Sequence, residues 1–268
     1  MNRKIALFLC ALCAVCCLSA QTADEDTARP IVRSTMYGVG SINLYDTYLS
    51  PVEYSGTQVR VLRESARMTR WMEGHVSRQT LFQGYLAAAE NVAGTSSELA
   101  GMVNWNYALH YNWYFLGRRL RLSAGPMMQA HGGFTYNTRN GNNPAQARLY
   151  ANLAASGMAQ YHLPWKYCPL TFRYQVDLPF LGVMFSPQYG QSYYEIFSLG
   201  YSDGTVVFTS FHRQPTLRHW FTADLQFRRF TLRLGYMADM QQARVNALRS
   251  HDYSHTFMIG LVHNLASF

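Results

Sequence analysis

LRHWFTADLQFRRFTLRLGYMA, residues 217–238, alternates apolar and polar positions with a period of two. Phe221, Ala223, Leu225 and Phe227 share one parity, and Trp220, Thr222, Asp224 and Gln226 the other. After Arg228-Arg229 the pattern restarts, with Phe230, Leu232, Leu234, Tyr236 and Ala238 against Thr231, Arg233, Gly235, Met237 and Asp239. Successive side chains of a strand point to opposite faces, so each half is a strand with one apolar face. Two such strands joined by two residues form a hairpin.

The same unit recurs along the chain. Val103, Trp105, Tyr107, Leu109, Tyr111 and Trp113 alternate with Met102, Asn104, Asn106, Ala108, His110 and Asn112. Leu120, Leu122, Ala124, Met128 and Ala130 oppose Arg119, Arg121, Ser123, Gln129 and His131, with Pro126 predicting a bulge. Leu149, Ala151, Leu153, Ala155, Ala159 and Tyr161 oppose Arg148, Tyr150, Asn152, Ser156 and Gln160. Leu170, Phe172, Tyr174, Val176 and Leu178 oppose Thr171, Arg173, Gln175 and Asp177.

Further strands are expected at 31–40, 57–67, 75–89, 192–201, 205–212 and 253–265, making twelve. The faces of 57–67 are unassigned, because Arg60, Arg63, Glu64 and Arg67 fall on both parities. Short connections at 68–74, 116–118, 164–169, 202–204 and 228–229 alternate with longer polar ones at 41–56, 90–97, 137–146, 181–191 and 240–252; only 213–216 is shorter than its class. Short turns on one side and long loops on the other are how outer-membrane barrels are built.

The N-terminus reads as a secretory signal spanning residues 1–20. Arg3 and Lys4 precede an apolar run, Ile5 to Leu18, that is too short to span a bilayer as a helix. Cleavage is expected near Ala20-Gln21. Cys16 and Cys17 follow Val15 and Cys16, not the small residue that lipidation requires. Residues 21–30 read as a mobile tail, and 31–268 as the barrel domain. Removal of the signal leaves Cys168 alone, which excludes an internal disulfide and a cysteine metal site. It also leaves 21 basic residues against 15 acidic ones, an excess spread without a lysine-rich run, so nucleic acid is not an expected partner.

No apolar run after the signal is long enough for a membrane helix. A chain that crosses a membrane without helices must pair every backbone group in a closed barrel. The alternative is a secreted soluble β-sandwich acting as a binding module, which also has strands with one apolar face. Strands of about ten residues exceed the usual five or six. Aromatics near the short turns, Tyr111, Trp113, Trp165, Tyr167 and Tyr236, fit an interfacial girdle. The chain ends in Phe268, whose parity would need a bulge near His263-Asn264 to match the apolar face of Phe257, Ile259, Leu261 and Leu265. The fold expected is an all-β, closed antiparallel transmembrane barrel.

With the apolar face to lipid, the other face lines the lumen. The lining candidates are Asn106, His110, Arg119, Arg121, His131, Arg148, Arg173, Asp177, Asp224 and Arg233. Such a lumen is either a channel with a basic bias or a barrel plugged by cross-strand pairs among Arg173, Arg233, Asp177, Asp224 and Asp239. Buried charges need partners, which favours the plug. His110, His131, Ser123 and Ser156 on neighbouring strands raise a lipid-modifying barrel enzyme as an alternative, but no Ser-His-acid spacing is legible. No catalytic residue, metal ligand set or cofactor is expected. Asp46, in LYDTYLSP, reads more as a turn cap than as a cation ligand.

GVGSINLYDTYLSPVEYSG (38–56), RNGNNPAQA (139–147) and LYANLAASGMAQY (149–161) resemble a family of outer-membrane β-barrel proteins from Bacteroides-like Gram-negative bacteria, described as a domain of unknown function. The resemblance covers most of the mature chain. It implies an outer-membrane location and supplies no activity. It makes the loop residues Asp46, Tyr48, Asn142 and Asn143 places to probe function. The expected role is structural or solute-handling. Expected partners are membrane lipid and lipopolysaccharide, the barrel-assembly machinery during biogenesis, and a small solute or ion.

Overall fold

The computed structural model describes residues 31–265. The expected signal (1–20), the tail (21–30) and Phe268 lie outside the described residues. The strands are β1 (Ile31–Asp46), β2 (Tyr54–Met68), β3 (Val76–Asn91), β4 (Ser97–Phe115), β5 (Leu120–Asn137), β6 (Ala145–Leu163), β7 (Leu170–Phe185), β8 (Val206–Ser210), β9 (Leu217–Gln226), β10 (Thr231–Val245) and β11 (Leu248–Leu265), with one short helix, α1 (Tyr193–Phe197). Each strand pairs antiparallel with its neighbour, and β1 pairs with β11 over its whole length. That closes one sheet on itself, so the sandwich alternative is excluded. Closure also pairs the strand edges around the ring, except along β8 and the end of β10 facing it.

Ten strands, not twelve, form the ring. β7 pairs with β9 over Leu170–Asp177 and with β8 over Leu181–Phe185. β8 is therefore a short flap that continues the wall above β9. β9 stops at Leu217, opposite Met240, while β10 runs on to Val245. Past that point the wall between β8 and β10 is joined by the Arg244 N–H to the Arg213 carbonyl, at 2.7 Å.

The expected strand at 192–201 is instead α1. Ser192 and Glu195 form a reciprocal capping box at its N-terminus, and that S-x-x-E spacing outweighs the aromatic run. The expected loop at 240–252 is a continuation of the β10–β11 hairpin around Asn246-Ala247, with both residues at positive φ (53° and 60°). A two-residue turn of that kind matches the strand twist. The expected loop at 41–56 shrinks to residues 47–53, because β1 runs to Asp46 and β2 starts at Tyr54.

Pro126 introduces no bulge. Ala108↔Met127 and Tyr111↔Ala124 share one register on either side of it. The register shift falls between β6 and β7, where Leu153 faces Leu181 but Ala154 faces Pro179. Phe180 is the extra residue, and beyond it the inward parity of β7 passes from Arg173, Gln175 and Asp177 to Met184. The β1–β11 register is also unbroken through Asn264 and Leu265, so no bulge forms near His263.

Outward positions are apolar, as the alternation demands: Val39, Val59, Leu86, Val103, Phe257 and Ile259 are exposed. Trp113, Trp165 and Tyr167 stand exposed near the short-turn end. β2 resolves with Gln58, Arg60, Leu62 and Glu64 inward and Val59, Val61 and Arg63 outward. His219 and His255 on the outer face meet the hydroxyls of Tyr174 (2.6 Å) and Tyr236 (2.7 Å). The middle of the interior is filled by side chains. An apolar layer of Met36, Leu62, Leu81, Trp220, Met237 and Met258 crosses it between polar layers.

Candidate functional site

The lumen holds three polar layers, stacked from the short-turn end to the long-loop end. In the lowest, Glu64 accepts two bonds from Arg173, at 2.5 and 3.0 Å, and a third from Arg233. Arg233 also grips Asp224 through two bonds of 2.6 and 2.7 Å. Gln79 (2.6 Å) and Ser34 (3.3 Å) complete the donors to Glu64. The Arg173 guanidinium also lies 4.3 Å from the centre of the Trp220 ring, a cation–π distance.

In the middle layer, Asp239 accepts from Arg60 (3.3 Å), Arg218 (3.3 Å) and Gln241 (3.1 Å). Arg60 also donates to Gln83 and Ser254. In the top layer, Arg148 bridges Asp46 (3.1 Å) and Asp252 (2.9 Å), and the Tyr85 hydroxyl donates to Asp252. The lowest and top layers join strands from opposite sides of the ring, β2 to β7 and β6 to β1, and the middle layer reaches from β2 past β1 and β11 to β10. A buried charge without a partner would cost several kcal/mol, roughly, so these pairs fix which strands face each other.

The long-loop mouth is covered. The Tyr48 hydroxyl donates to the Gln191 carbonyl (3.0 Å), and its ring meets Tyr193 edge-on. The Tyr193 hydroxyl donates to Gln146 (2.9 Å) and accepts from the Ala147 N–H (2.7 Å). Asn246 donates to the carbonyls of Ser186 and Gly204. The segment carrying α1 is thereby tied to the β1–β2 loop, to β6 and to the last hairpin. Burial, and then the charges of Asp46 and Glu195, push the Tyr48 phenol up to about 12. Burial also raises that of Tyr193.

At the opposite end a recess of about 590 Å³ enters the barrel among the short turns. His110, Arg121, Arg173 and Glu64 lie deep in its lining, and Gly74, Arg118 and Gln226 lie at its rim.

Most of the lining residues expected from sequence do face the lumen: Asn106, His110, Arg121, His131, Arg148, Arg173, Asp177, Asp224 and Arg233. Arg119 does not. It precedes β5 in the turn and is exposed, so parity alone misplaced it. Asp177 pairs with the Ser156 hydroxyl (2.7 Å) and the Gln175 amide (3.0 Å) in place of a cation. His131 stacks on Tyr150 at 4.2 Å. Both amide atoms of Asn106 lack a partner. Asp46 is buried, accepts the Tyr48 N–H at 3.0 Å and binds Arg148, which makes it a cap and an ion-pair partner at once. Asn142 and Asn143 sit in the β5–β6 loop with their N–H groups on the Asn140 side chain. No metal-binding cluster occurs among the described residues.

His110 Nε2 lies 2.9 Å from the Ser156 hydroxyl. That hydroxyl donates to Asp177 and is buried, and His110 Nδ1 has no acid to orient it. The pair lacks the arrangement of a hydrolytic triad. Glu64 and Arg60 lie on β2, where charges on both parities conceal the inward face. Their matching even parity with Gln58 and Leu62 was the available signal.

The family described as "Protein of unknown function (DUF3316)" matches residues 7–268. No curated protein matches the chain. Among solved structures, the chain is similar to the transport unit of the autotransporter AIDA-I from Escherichia coli, at 8% identity and a TM-score of 0.49, covering 90% of this chain and 91% of that one. It is similar to the outer membrane protease OmpT from Escherichia coli, at 8% identity and a TM-score of 0.49, covering 91% and 99%. It is also similar to the translocator domain of the autotransporter NalP from Neisseria meningitidis, at 9% identity and a TM-score of 0.40, covering 94% and 96%.

Proposed function

The chain belongs to the family described as "Protein of unknown function (DUF3316)", and from that premise we propose that it is an exported outer-membrane β-barrel with a closed lumen, structural or solute-binding in role. The observation that carries this reading is the Glu64 cluster, in which one carboxylate holds Arg173 and Arg233 across the lumen. An open channel needs its lining solvated. Here Glu64, Arg173, Arg233 and Asp224 spend their hydrogen bonds on one another across the lumen, and apolar side chains fill the layer above.

The outer-membrane location is supported by the exposed apolar wall and the aromatic residues at the short-turn end. Lipid and lipopolysaccharide would contact that wall, and the assembly machinery would insert it. The test is planar-bilayer recording of the purified protein beside fractionation of cells that express it. A closed barrel enters the outer-membrane fraction, migrates faster when unheated than when boiled, and conducts no steady current. Sustained single-channel currents from the wild-type chain would overturn the closed-lumen reading.

A further inference from the structure

The upper ends of β10, β11 and β1 sort their charges by face. The acids of these stretches, Asp239, Asp252 and Asp46, are buried in the lumen on arginine partners. The outward positions carry no acid. Met240, Gln242 and Arg244 on β10 stand beside Tyr253, His251 and Arg249 on β11, and these beside Asn43, Tyr45 and Thr47 at the end of β1. Arg244 and Arg249 are direct cross-strand partners, and the Arg244 N–H bonds the Arg213 carbonyl at 2.7 Å. All three arginines are exposed, and their guanidinium groups make no ion pair or hydrogen bond among the described residues. Like charges directly opposite in a sheet repel. Three guanidinium groups gathered this way suit an anion with several oxygens, because each presents a fork of donors.

Height decides where that anion comes from. From Leu232 to Arg244, β10 runs about 40 Å, which is roughly 30 Å of height at the tilt of a barrel strand, against an apolar band about 25 Å tall. The outward side chains change accordingly. Leu234, Tyr236, Ala238 and Met240 give way to Gln242 and Arg244 on β10. Leu261, Ile259 and Phe257 give way to Tyr253, His251 and Arg249 on β11. The arginines thus stand at the long-loop end, where an acyl layer stops and headgroups begin. Phe208 on β8 and Phe211, in the turn that leads to Arg213, are exposed on the same wall.

We propose that Arg213, Arg244 and Arg249 bind a phosphate of lipid A, the phosphorylated and acylated disaccharide of the outer leaflet, with its acyl chains on the wall below. A free phosphate would gain from the arginines alone. An acylated one also covers Phe208, Phe211 and Met240.

The inference rests on the outer-membrane reading, and the two fail differently. The experiment is native mass spectrometry of the refolded full chain in detergent. The probes are bisphosphorylated lipid A, the same lipid stripped of its phosphates, and phosphatidylglycerol, with inorganic phosphate as competitor. The wild type retains bisphosphorylated lipid A about tenfold or more tightly than the stripped lipid, and more tightly than phosphatidylglycerol. Arg213→Gln combined with Arg244→Gln and Arg249→Gln brings lipid A down to the level of the stripped lipid. Lys166→Gln combined with Arg228→Gln and Arg229→Gln, the same loss of charge on exposed residues of the short turns, leaves wild-type binding. Each variant is first checked for the faster unheated migration of a closed barrel, and the wild-type comparison of lipids stands even where a variant fails to fold. Equal retention of lipid A with and without phosphates, equal retention of phosphatidylglycerol, displacement by millimolar inorganic phosphate, or an equal loss in the short-turn variant would each overturn the proposal. Absence of the chain from the outer-membrane fraction would instead sink the location on which it rests.

Discussion

Glu64 on β2 and Arg173 on β7 lie 109 positions apart in sequence and meet inside the barrel through two parallel bonds of 2.5 and 3.0 Å. Both side chains are almost wholly buried. Glu64→Gln keeps the shape and strips the countercharge from Arg173, at an expected cost of about 3–5 kcal/mol. Glu64→Leu combined with Arg173→Met replaces the pair with packing and recovers much of that loss. The midpoint of the heat-modifiable band shift with temperature measures both. Equal stability of Glu64→Gln and wild type would show that the pair contributes nothing.

Ala247 sits at φ 60° in the two-residue turn of the last hairpin. A residue with a Cβ costs about 1–2 kcal/mol in that conformation, and glycine costs far less. Ala247→Gly should stabilise the barrel by roughly 1 kcal/mol in urea unfolding. A destabilised variant would mean that the methyl group packs in a way that outweighs its strain.

Tyr48 holds the α1 segment through its hydroxyl on the Gln191 carbonyl. Tyr48→Phe keeps the edge-on contact with Tyr193 and removes only that bond. Faster amide exchange is expected across 186–205 and not in β3 or β4. Asp46→Ala should go further, because it frees the Tyr48 N–H and takes one of two carboxylates from Arg148. Loss of assembly in that variant would mark the segment as structural, in keeping with the burial of Asp46.

Glu195 closes the capping box, and the donors on Ser192 hold its carboxyl below the usual carboxylate range. A depressed folded value stabilises above the unfolded value and is lost as the pH falls through the folded one. The cap should therefore persist at neutral pH and loosen only in acid. Proteolysis within 186–205 should rise below the ordinary carboxylate range. Ser192→Ala should raise it at neutral pH too, with a local loss of about 1 kcal/mol. A cleavage rate independent of pH in the wild type would refute the role of the box.

Strands with a clean alternation could be read directly. Trp105, Tyr107 and Leu109 against Asn104, Asn106 and His110 settle their faces, because a slip of one residue would bury three aromatic or aliphatic groups in the polar lumen. β2 was harder, since Arg63 outside and Arg60 inside are the same residue type and only the ring of partners separates them. Trp220 and Met237 line a lumen that parity marks as polar, because the apolar layer forms where several strands meet. The helix at Tyr193–Phe197 was concealed by residues that also suit a strand. The hairpin at Asn246-Ala247 was concealed because alanine gives no sign of a left-handed turn. Within the candidate site, Arg121 and His110 were visible as inward residues. That Arg121 takes Gln160 as a partner and forms no ion pair among the described residues emerges only once the partners of Glu64 are known.

The handover on β7 from β9 to β8 leaves the hoop with one lap joint, where the Arg244–Arg213 bond bridges what a full ladder spans elsewhere. Elsewhere in the ring, separating two neighbours means breaking many backbone bonds together. Here the wall can part with little loss. Thermal breathing should therefore begin at this joint, and a crosslink bridging β8 to the upper part of β10 would stiffen the whole circumference more than one placed anywhere else.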